Sequence, residues 1–482
     1  MIDLRPVFFV VGLMVAALGL MMFVPMTVDF YHGDKSWQTF GISGVLTTMM
    51  GAVMATAAYT PEPNLGARGA FLLTVLSWVA LSFFAAIPFL MDPMQLSFTD
   101  AMFEATSGIT TTGATVLTGL DDLDKGVLLW RAILQWIGGV GIVVTAMAVL
   151  PMLKVGGMQL FRLESSDMGE KILPRAASIA KAIGIIYLIL TIACAIGYMM
   201  VGMSSFNAAA HAMTTVSTGG YSTSDLSMGG YMDGGADIVG VAFMILGSLP
   251  FAAYLLMGRG DLSAPFKDPQ IRAFIGLLLF LTLTVTLGLL ATSGLENARA
   301  LRLAVFNTVS IVTGTGFATA DYQTWGTFAI GLFFVFMFVG GCAGSTTCSV
   351  KIFRYQVAFE ALKSYLFRMP KQHAIAPMRY DGRPLPEQIV FSVMSFFFLF
   401  FATFAVTAIL LSLIGLDPIT AWSGAASAVA NVGPGLGDII GPAGTYQTLP
   451  NSAKWVLLTA MIIGRLEIVT ALVIMMPGFW RG

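Results

Sequence analysis

The chain has 482 residues, 57% hydrophobic and only 11% charged, with a mean hydropathy of +0.83, and no water-soluble surface can be built from that composition. Its 25 Lys and Arg against 26 Asp and Glu leave a formal charge of −1, so there is no basic excess to hold nucleic acid, and the expected surroundings are a lipid bilayer. The three cysteines, Cys194, Cys342 and Cys348, lie in apolar or glycine-rich stretches and form neither a spaced metal set nor a disulfide framework.

A bilayer is crossed by about 20 apolar residues in a helix. Runs of that length predict ten crossings, at 7–27, 38–59, 69–91, 127–152, 182–203, 237–258, 272–292, 326–350, 388–415 and 453–476. The first could be a cleaved signal peptide, but its length and the lack of a small-residue cleavage site favour a retained helix. Numbered from an inside N-terminus, the crossings put 18 of the 25 basic residues on the inner side, as the positive-inside rule requires. Both termini are therefore expected in the cytoplasm. Acids outnumber bases on the outer face, a balance that concentrates cations there.

Between several crossings lies a segment too short to span, followed by a glycine-rich turn. Four recur: Ala101–Val116, Ala208–Asp225, Phe306–Asp321 and Ala425–Asp438. One glycine marks each, Gly113, Gly220, Gly316 and Gly433, at intervals of 96 to 117 residues. The expected fold is an all-α polytopic membrane protein, with four pseudo-symmetric units of helix, pore helix, loop and helix around a central pore behind a two-helix preface. The expected divisions are 1–68 for the preface and 69–181, 182–271, 272–387 and 388–482 for the four repeats.

Non-helical backbone at membrane depth is tolerated where protein buries it or water reaches it. A cation sheds water only if several oxygens replace it at once, and carbonyls on a glycine turn provide them without a full charge. The hydroxyls of Thr110, Thr111, Thr112, Ser217, Thr218, Thr313 and Thr315 could add ligands or hold the turns. Gly/Ser/Thr clusters are also close-packing faces in membrane helices, and any one segment alone reads better that way. Four at similar spacing favour a filter.

These loops, TTTGA (Thr110–Ala114), STGGYST (Ser217–Thr223), TGTGFATAD (Thr313–Asp321) and ANVGPGLGD (Ala430–Asp438), resemble the four filter loops of the Trk/Ktr/HKT superfamily of potassium transporters. WRAILQWIGGVGI (Trp130–Ile142), GGCAGSTTCSVKIFR (Gly340–Arg354) and GRLEI (Gly464–Ile468) extend the resemblance over nearly the whole chain, towards the bacterial Trk-type membrane subunit. Cys348-Ser349 is a departure, standing where the family pattern has glycines. The resemblance implies potassium as the transported ion, no organic cofactor, and ligands from Thr111, Thr112 and Gly113, Thr218, Gly219 and Gly220, Gly314, Thr315 and Gly316, and Asn431, Val432 and Gly433. It also implies a homodimer in the bacterial inner membrane, gated by a cytosolic nucleotide-binding regulatory ring.

Arg465 falls near the middle of the last predicted crossing, two residues before Glu467. It could pair with Glu467 and merely tie the bundle, or face the pore and discourage a cation from lingering; the resemblance implies the second. Gly340, Gly341, Gly344, Ser345, Thr346 and Thr347 interrupt the eighth crossing, which reads as a glycine-lined kink or, by the resemblance, as a mobile intramembrane gate. Lys351 is expected to snorkel to the inner interface. Glu104 could strengthen a cation field or serve in capping or packing. His32, His211 and His373 lie far apart and show no metal-binding spacing, and His211 reads as scaffold. The expected function is potassium uptake through a channel-like pore, by a protein that is not an enzyme. The rivals are a symporter coupling K⁺ to H⁺ or Na⁺, a scaffold or receptor whose loops only pack, and, more distantly, a membrane redox enzyme.

Overall fold

In lipid every backbone polar group must be satisfied within the protein, which forces long apolar runs into helices. The computed structural model describes residues 3–59, 66–91, 93–145, 176–292, 295–370 and 377–481. Asp92, the inner end of the fourth predicted crossing from 146 onward, the basic residues Lys154, Arg162, Lys171, Arg175 and Lys371, and His373 lie outside them.

The first crossing is α1 (Arg5–Met21) continued by α2 (Phe23–His32), which ends on Gly33 in the left-handed conformation. It packs along α3 (Trp37–Ala57). A Cβ on Gly19 would fall 2.5 Å from the Thr48 nitrogen, and one on Gly12 2.5 Å from that of Ala55. Small residues thus bring the two backbones close, since in lipid helices associate by packing rather than by escaping water. The third crossing is α4 (Ala67–Ala85) with the short α5 (Ile87–Leu90), and α7 (Lys125–Val144) is the fourth, separated from it by α6 (Phe98–Ile109).

After α8 (Ala176–Met200) and the half-length α9 (Ser205–Val216), the sixth crossing departs from expectation. It breaks at Ser248–Pro250 into α10 (Ala236–Gly247) and α11 (Phe251–Met257), bent by 90°. The four-residue α12 (Ala264–Lys267) leads to α13 (Pro269–Thr292), followed by α14 (Asn297–Val312). Only α15 (Thr327–Phe336) of the eighth crossing is helical before the chain becomes irregular. Then come α16 (Ile352–Arg368), a two-residue hairpin pairing β1 (Arg379–Tyr380) with β2 (Arg383–Pro384), and α17 (Glu387–Leu413). After α18 (Pro418–Ala430), the last crossing also breaks, into α19 (Asn451–Arg465) and α20 (Ile468–Met475), bent by 107°. The chain ends in α21 (Pro477–Arg481). Among the described residues, seven helices are long and apolar enough to span, and the two bent pairs raise that to nine.

The half-length helices α6, α9, α14 and α18 begin 3 to 9 residues before the predicted segments. For three of them the signal was local. Ser97, Ser204 and Asp417 cap the helices by accepting from the N–H of Asp100, Asn207 and Thr420, worth typically ~1 kcal/mol each. Each helix therefore starts in the polar zone and directs the negative end of its dipole towards the membrane interior.

Candidate ion pathway

The four half-helices end in the same motif. One residue turns left-handed, just after the cap at Thr111 (φ 53°), Thr218 (φ 51°) and Gly314 (φ 70°), and at the cap itself at Asn431 (φ 52°). The next residue's N–H reaches back five positions to close the helix: Thr112 to Ser107, Gly219 to Thr214, Thr315 to Ser310 and Val432 to Ser427, all at 2.9–3.0 Å. This is the helix-ending bond of a Schellman turn. The marker glycine follows in each loop, again left-handed, with φ from 78° to 106°.

The loops then meet head to side. A Cβ on Gly113 would overlap the carbonyl oxygen of Gly219, one on Gly220 that of Thr315, and one on Gly316 that of Val432. On Gly433 it would fall 2.6 Å from the carbonyl oxygen of Thr112, closing the cycle. Four hairpins thus stand around one axis in chain order, each glycine yielding room to its neighbour's carbonyl. All four glycines line a cavity of about 260 Å³ on the acid-rich side, bordered also by Thr115, Tyr221, Asp225 and Tyr446. The site residues expected from sequence are therefore brought together, apart from the gating set, which lies on the other side of the ring.

Behind the ring, equivalent positions in the half-helices tie down the ascending chain. Glu104 accepts from the Val116 N–H (2.9 Å) and the Thr115 hydroxyl. His211 Nε2 meets the Ser222 hydroxyl at 2.9 Å, and Asn307 bonds both the N–H and the hydroxyl of Thr319. Glu104 is fully buried and receives the Arg131 guanidinium at 2.8 Å. That guanidinium also donates to the Ser222 carbonyl and lies 4.1 Å from the centre of the Tyr221 ring. The sequence pattern singles out neither Arg131 nor Gln135. Both are buried on α7, facing the first two loops. Their spacing of four residues places them on one helix face, a signal masked by the continuous apolar run around them.

Below the ring, residues 337–351 fold back on themselves, with Gly340 donating to the Val350 carbonyl at 2.9 Å. The segment docks into the break of the sixth crossing. Thr346 and Cys342 donate N–H bonds to the carbonyls of Gly247 and Ser248, and Phe251 N–H donates to Gly344. These are the backbone groups that the broken helix leaves open. The Thr346 side chain lies 3.1 Å from the carbonyl of Val216 and 2.9 Å from that of Gly247, and accepts from Thr218. Ser345 and Thr347 share a hydrogen bond of 2.8 Å. Lys351 does not snorkel: it is 9% exposed, with its ammonium on the carbonyl and hydroxyl of Thr347. The irregular turn leaves carbonyls that need donors, and Lys351 supplies three.

Arg465 is 3% exposed at the end of α19. It donates to the Gly138 carbonyl at 3.2 Å and contacts Cys348 Sγ. Glu467 is not its partner: across the break, at φ 59°, Glu467 pairs with Arg354. Arg465, Cys348, Thr347, Lys351 and Asn431 line a small cavity of about 30 Å³. Cys348 thus stands between the Arg465 guanidinium and the Thr111 hydroxyl, 3.6 Å away.

A helical membrane protein that turns four half-helices and their glycine loops onto one axis is built as a re-entrant pore. The model of the TrkH family, described as a cation transport protein, matches residues 36–479, and the chain belongs to that family of transporters rather than to any enzyme family. It is 43% identical to the Trk system potassium uptake protein TrkI of Halomonas elongata, over 99% of this chain and 97% of the relative. It is 35% identical to the Trk system potassium uptake protein TrkH of Escherichia coli K12, over 98% of each. The crystal structure of the potassium transporter TrkH from Vibrio parahaemolyticus superposes with a TM-score of 0.92 at 35% identity, covering 100% of both chains.

Proposed function

We propose that this chain is the membrane subunit of a bacterial potassium-uptake system, conducting K⁺ through a channel-like pore whose filter is the ring of four loops. The observation that carries the reading is the cyclic fit of Gly113, Gly220, Gly316 and Gly433 against the carbonyls of Gly219, Thr315, Val432 and Thr112. A closed ring of backbone oxygens can replace the water of a naked alkali cation. The half-helix C-termini add negative potential without a titratable group. On this reading Thr111, Thr218, Gly314 and Asn431 set the left-handed turn, and Thr112, Gly219, Thr315 and Val432 supply the ring oxygens.

The segment carrying Gly340, Gly341, Gly344, Ser345, Thr346 and Thr347 is then the gate, and Arg465 the charge that hurries the ion off the filter. The protein sits in the inner membrane with both termini in the cytoplasm. It works as a homodimer, with a soluble nucleotide-binding ring pulling on the gate. A proton-coupled symporter is the second reading, but the membrane-depth carboxylates Glu104 and Glu467 are each held by an arginine, which favours the uncoupled pore.

The test is flux into proteoliposomes of the purified chain under an imposed voltage with K⁺, Rb⁺, Na⁺ or Li⁺. Current carried by K⁺ and Rb⁺ in preference to Na⁺, with no second ion required, supports the reading. Equal leakage of all four, none at all, or an absolute need for a proton or sodium gradient would end it.

A further inference from the structure

The four loops are not equivalent at the residue that supplies the ring carbonyl. Thr112, Thr315 and Val432 carry side chains there, and the first two tie their hydroxyls to Thr110 and Thr313 at 2.7 Å. In the second loop the position is Gly219, and the reason is Gln135. A Cβ on Gly219 would fall 2.5 Å from Gln135 Oε1 and 2.9 Å from Nε2. The fully buried amide of Gln135 fills the space that a threonine side chain takes in loops one and three.

It also grips the loop at two points. Gln135 Oε1 accepts from the Tyr221 N–H at 2.9 Å, and Nε2 donates to the Gly219 carbonyl oxygen at 2.6 Å. Among the described residues no other ring carbonyl accepts a hydrogen bond. Three ring oxygens are therefore free and one is tethered. A carbonyl already accepting a strong bond keeps one lone pair for an ion and has its direction fixed. It presents a weaker, stiffer ligand, and weaker fields favour the larger, more easily dehydrated cation.

We infer that Gln135 is a specificity-determining positioning residue, whose bond to the Gly219 carbonyl biases the ring towards K⁺ and Rb⁺ and against Na⁺ and Li⁺. This rests on the pore reading above. Gln135 does not touch the ion; it acts through the oxygen that does.

The decisive comparison is the permeability ratio Na⁺/K⁺ of the native chain with Gln135→Glu and Gln135→Met in proteoliposomes. Glutamate keeps the shape and the bond from Tyr221 and, once ionised at alkaline pH, cannot donate to Gly219. Methionine keeps the volume and makes neither bond. The expected result is a rise in Na⁺/K⁺ on the order of fivefold in both, about the factor one hydrogen bond is worth. Folded variants with native ratios, or a change in total flux alone, would overturn the inference. So would failure of both to give monodisperse protein, since Gln135 would then be a stability residue. A native chain with no cation preference would sink the pore reading itself, a separate outcome.

Discussion

Gly220 lies so close to the carbonyl oxygen of Thr315 that a methyl group on residue 220 would overlap it. Its φ of 78° also costs any L side chain about 1–2 kcal/mol. Gly220→Ala must therefore push one ring oxygen outward. The expected outcome is at least a tenfold fall in K⁺ flux or loss of the K⁺/Na⁺ preference, read by isotope uptake. Gly113→Ser should do the same through the Gly219 carbonyl. Gly276→Ala, whose added Cβ meets nothing within 4 Å, should leave uptake unchanged.

Thr346 ties the intramembrane segment to both the second half-helix and the broken sixth crossing. Thr346→Val keeps the shape and removes the hydroxyl, leaving the Val216 carbonyl short of a partner, at a cost of about 1–3 kcal/mol. That penalty falls on the docked arrangement. Open probability in single-channel records should rise on the order of tenfold, with no change in the K⁺/Na⁺ ratio. An altered ratio with unaltered opening would show that Thr346 belongs to the filter.

The spans and the four marker glycines were legible because both are local: hydrophobic run length and a repeated left-handed turn. The breaks were not equally so. Pro250 could have flagged the first, yet the apolar run passes over it. Nothing near Leu466 signals the second, because Glu467 holds its strained backbone through Arg354, 113 positions away. The pairing of Arg131 with Glu104 was hidden for the same reason. Two charges cancel only in space, and the loop order around the ring is likewise a tertiary fact. The eighth crossing ends early because residues 337–351 find better partners in the sixth crossing's open carbonyls than in a helix of glycines.

Asp268 opens α13 and accepts the N–H groups of Gln270 at 2.7 Å and Ile271 at 3.4 Å. Burial raises its carboxyl above the ordinary value, outweighing those bonds, and nearby Asp381 adds repulsion. A carboxyl with a raised folded-state value is a burden when ionised: the cost is present above that value and vanishes as the pH falls below the unfolded one. Asp268→Asn keeps the acceptor and drops the charge. Its melting temperature should exceed the native one at pH 7, and the gap should close on acidification towards the ordinary carboxylate range. A gap independent of pH would refute the assignment.

Arg465 brings a full charge to the side of the ring that holds residues 337–351, without a carboxylate partner among the described residues, held by the Gly138 carbonyl and Cys348. A unit charge in a low-dielectric path is worth more than the ~1.4 kcal/mol that changes a rate tenfold. Conductance should therefore rise on the order of tenfold in Arg465→Ala. Arg465→Lys separates charge from shape: it loses the forked contact but keeps the field, so its conductance should stay near native. If the two variants conduct alike, the arginine acts as a plug rather than a charge.

Glu104 and Arg131 form a fully buried ion pair behind the ring of loops, 2.8 Å apart. Removing one partner leaves a naked charge, typically costing 3–5 kcal/mol, whereas replacing both with apolar groups of similar volume is often nearly neutral. Glu104→Leu and Arg131→Met should each destabilise by that amount, and the double variant by much less than their sum, in a thermal double-mutant cycle. The pair also fixes Thr115, Val116 and the Ser222 carbonyl, where loops one and two leave the ring. The double variant should therefore regain stability without regaining the full K⁺ preference, because the apolar pair restores packing but not the hydrogen bonds that hold the two loops in register.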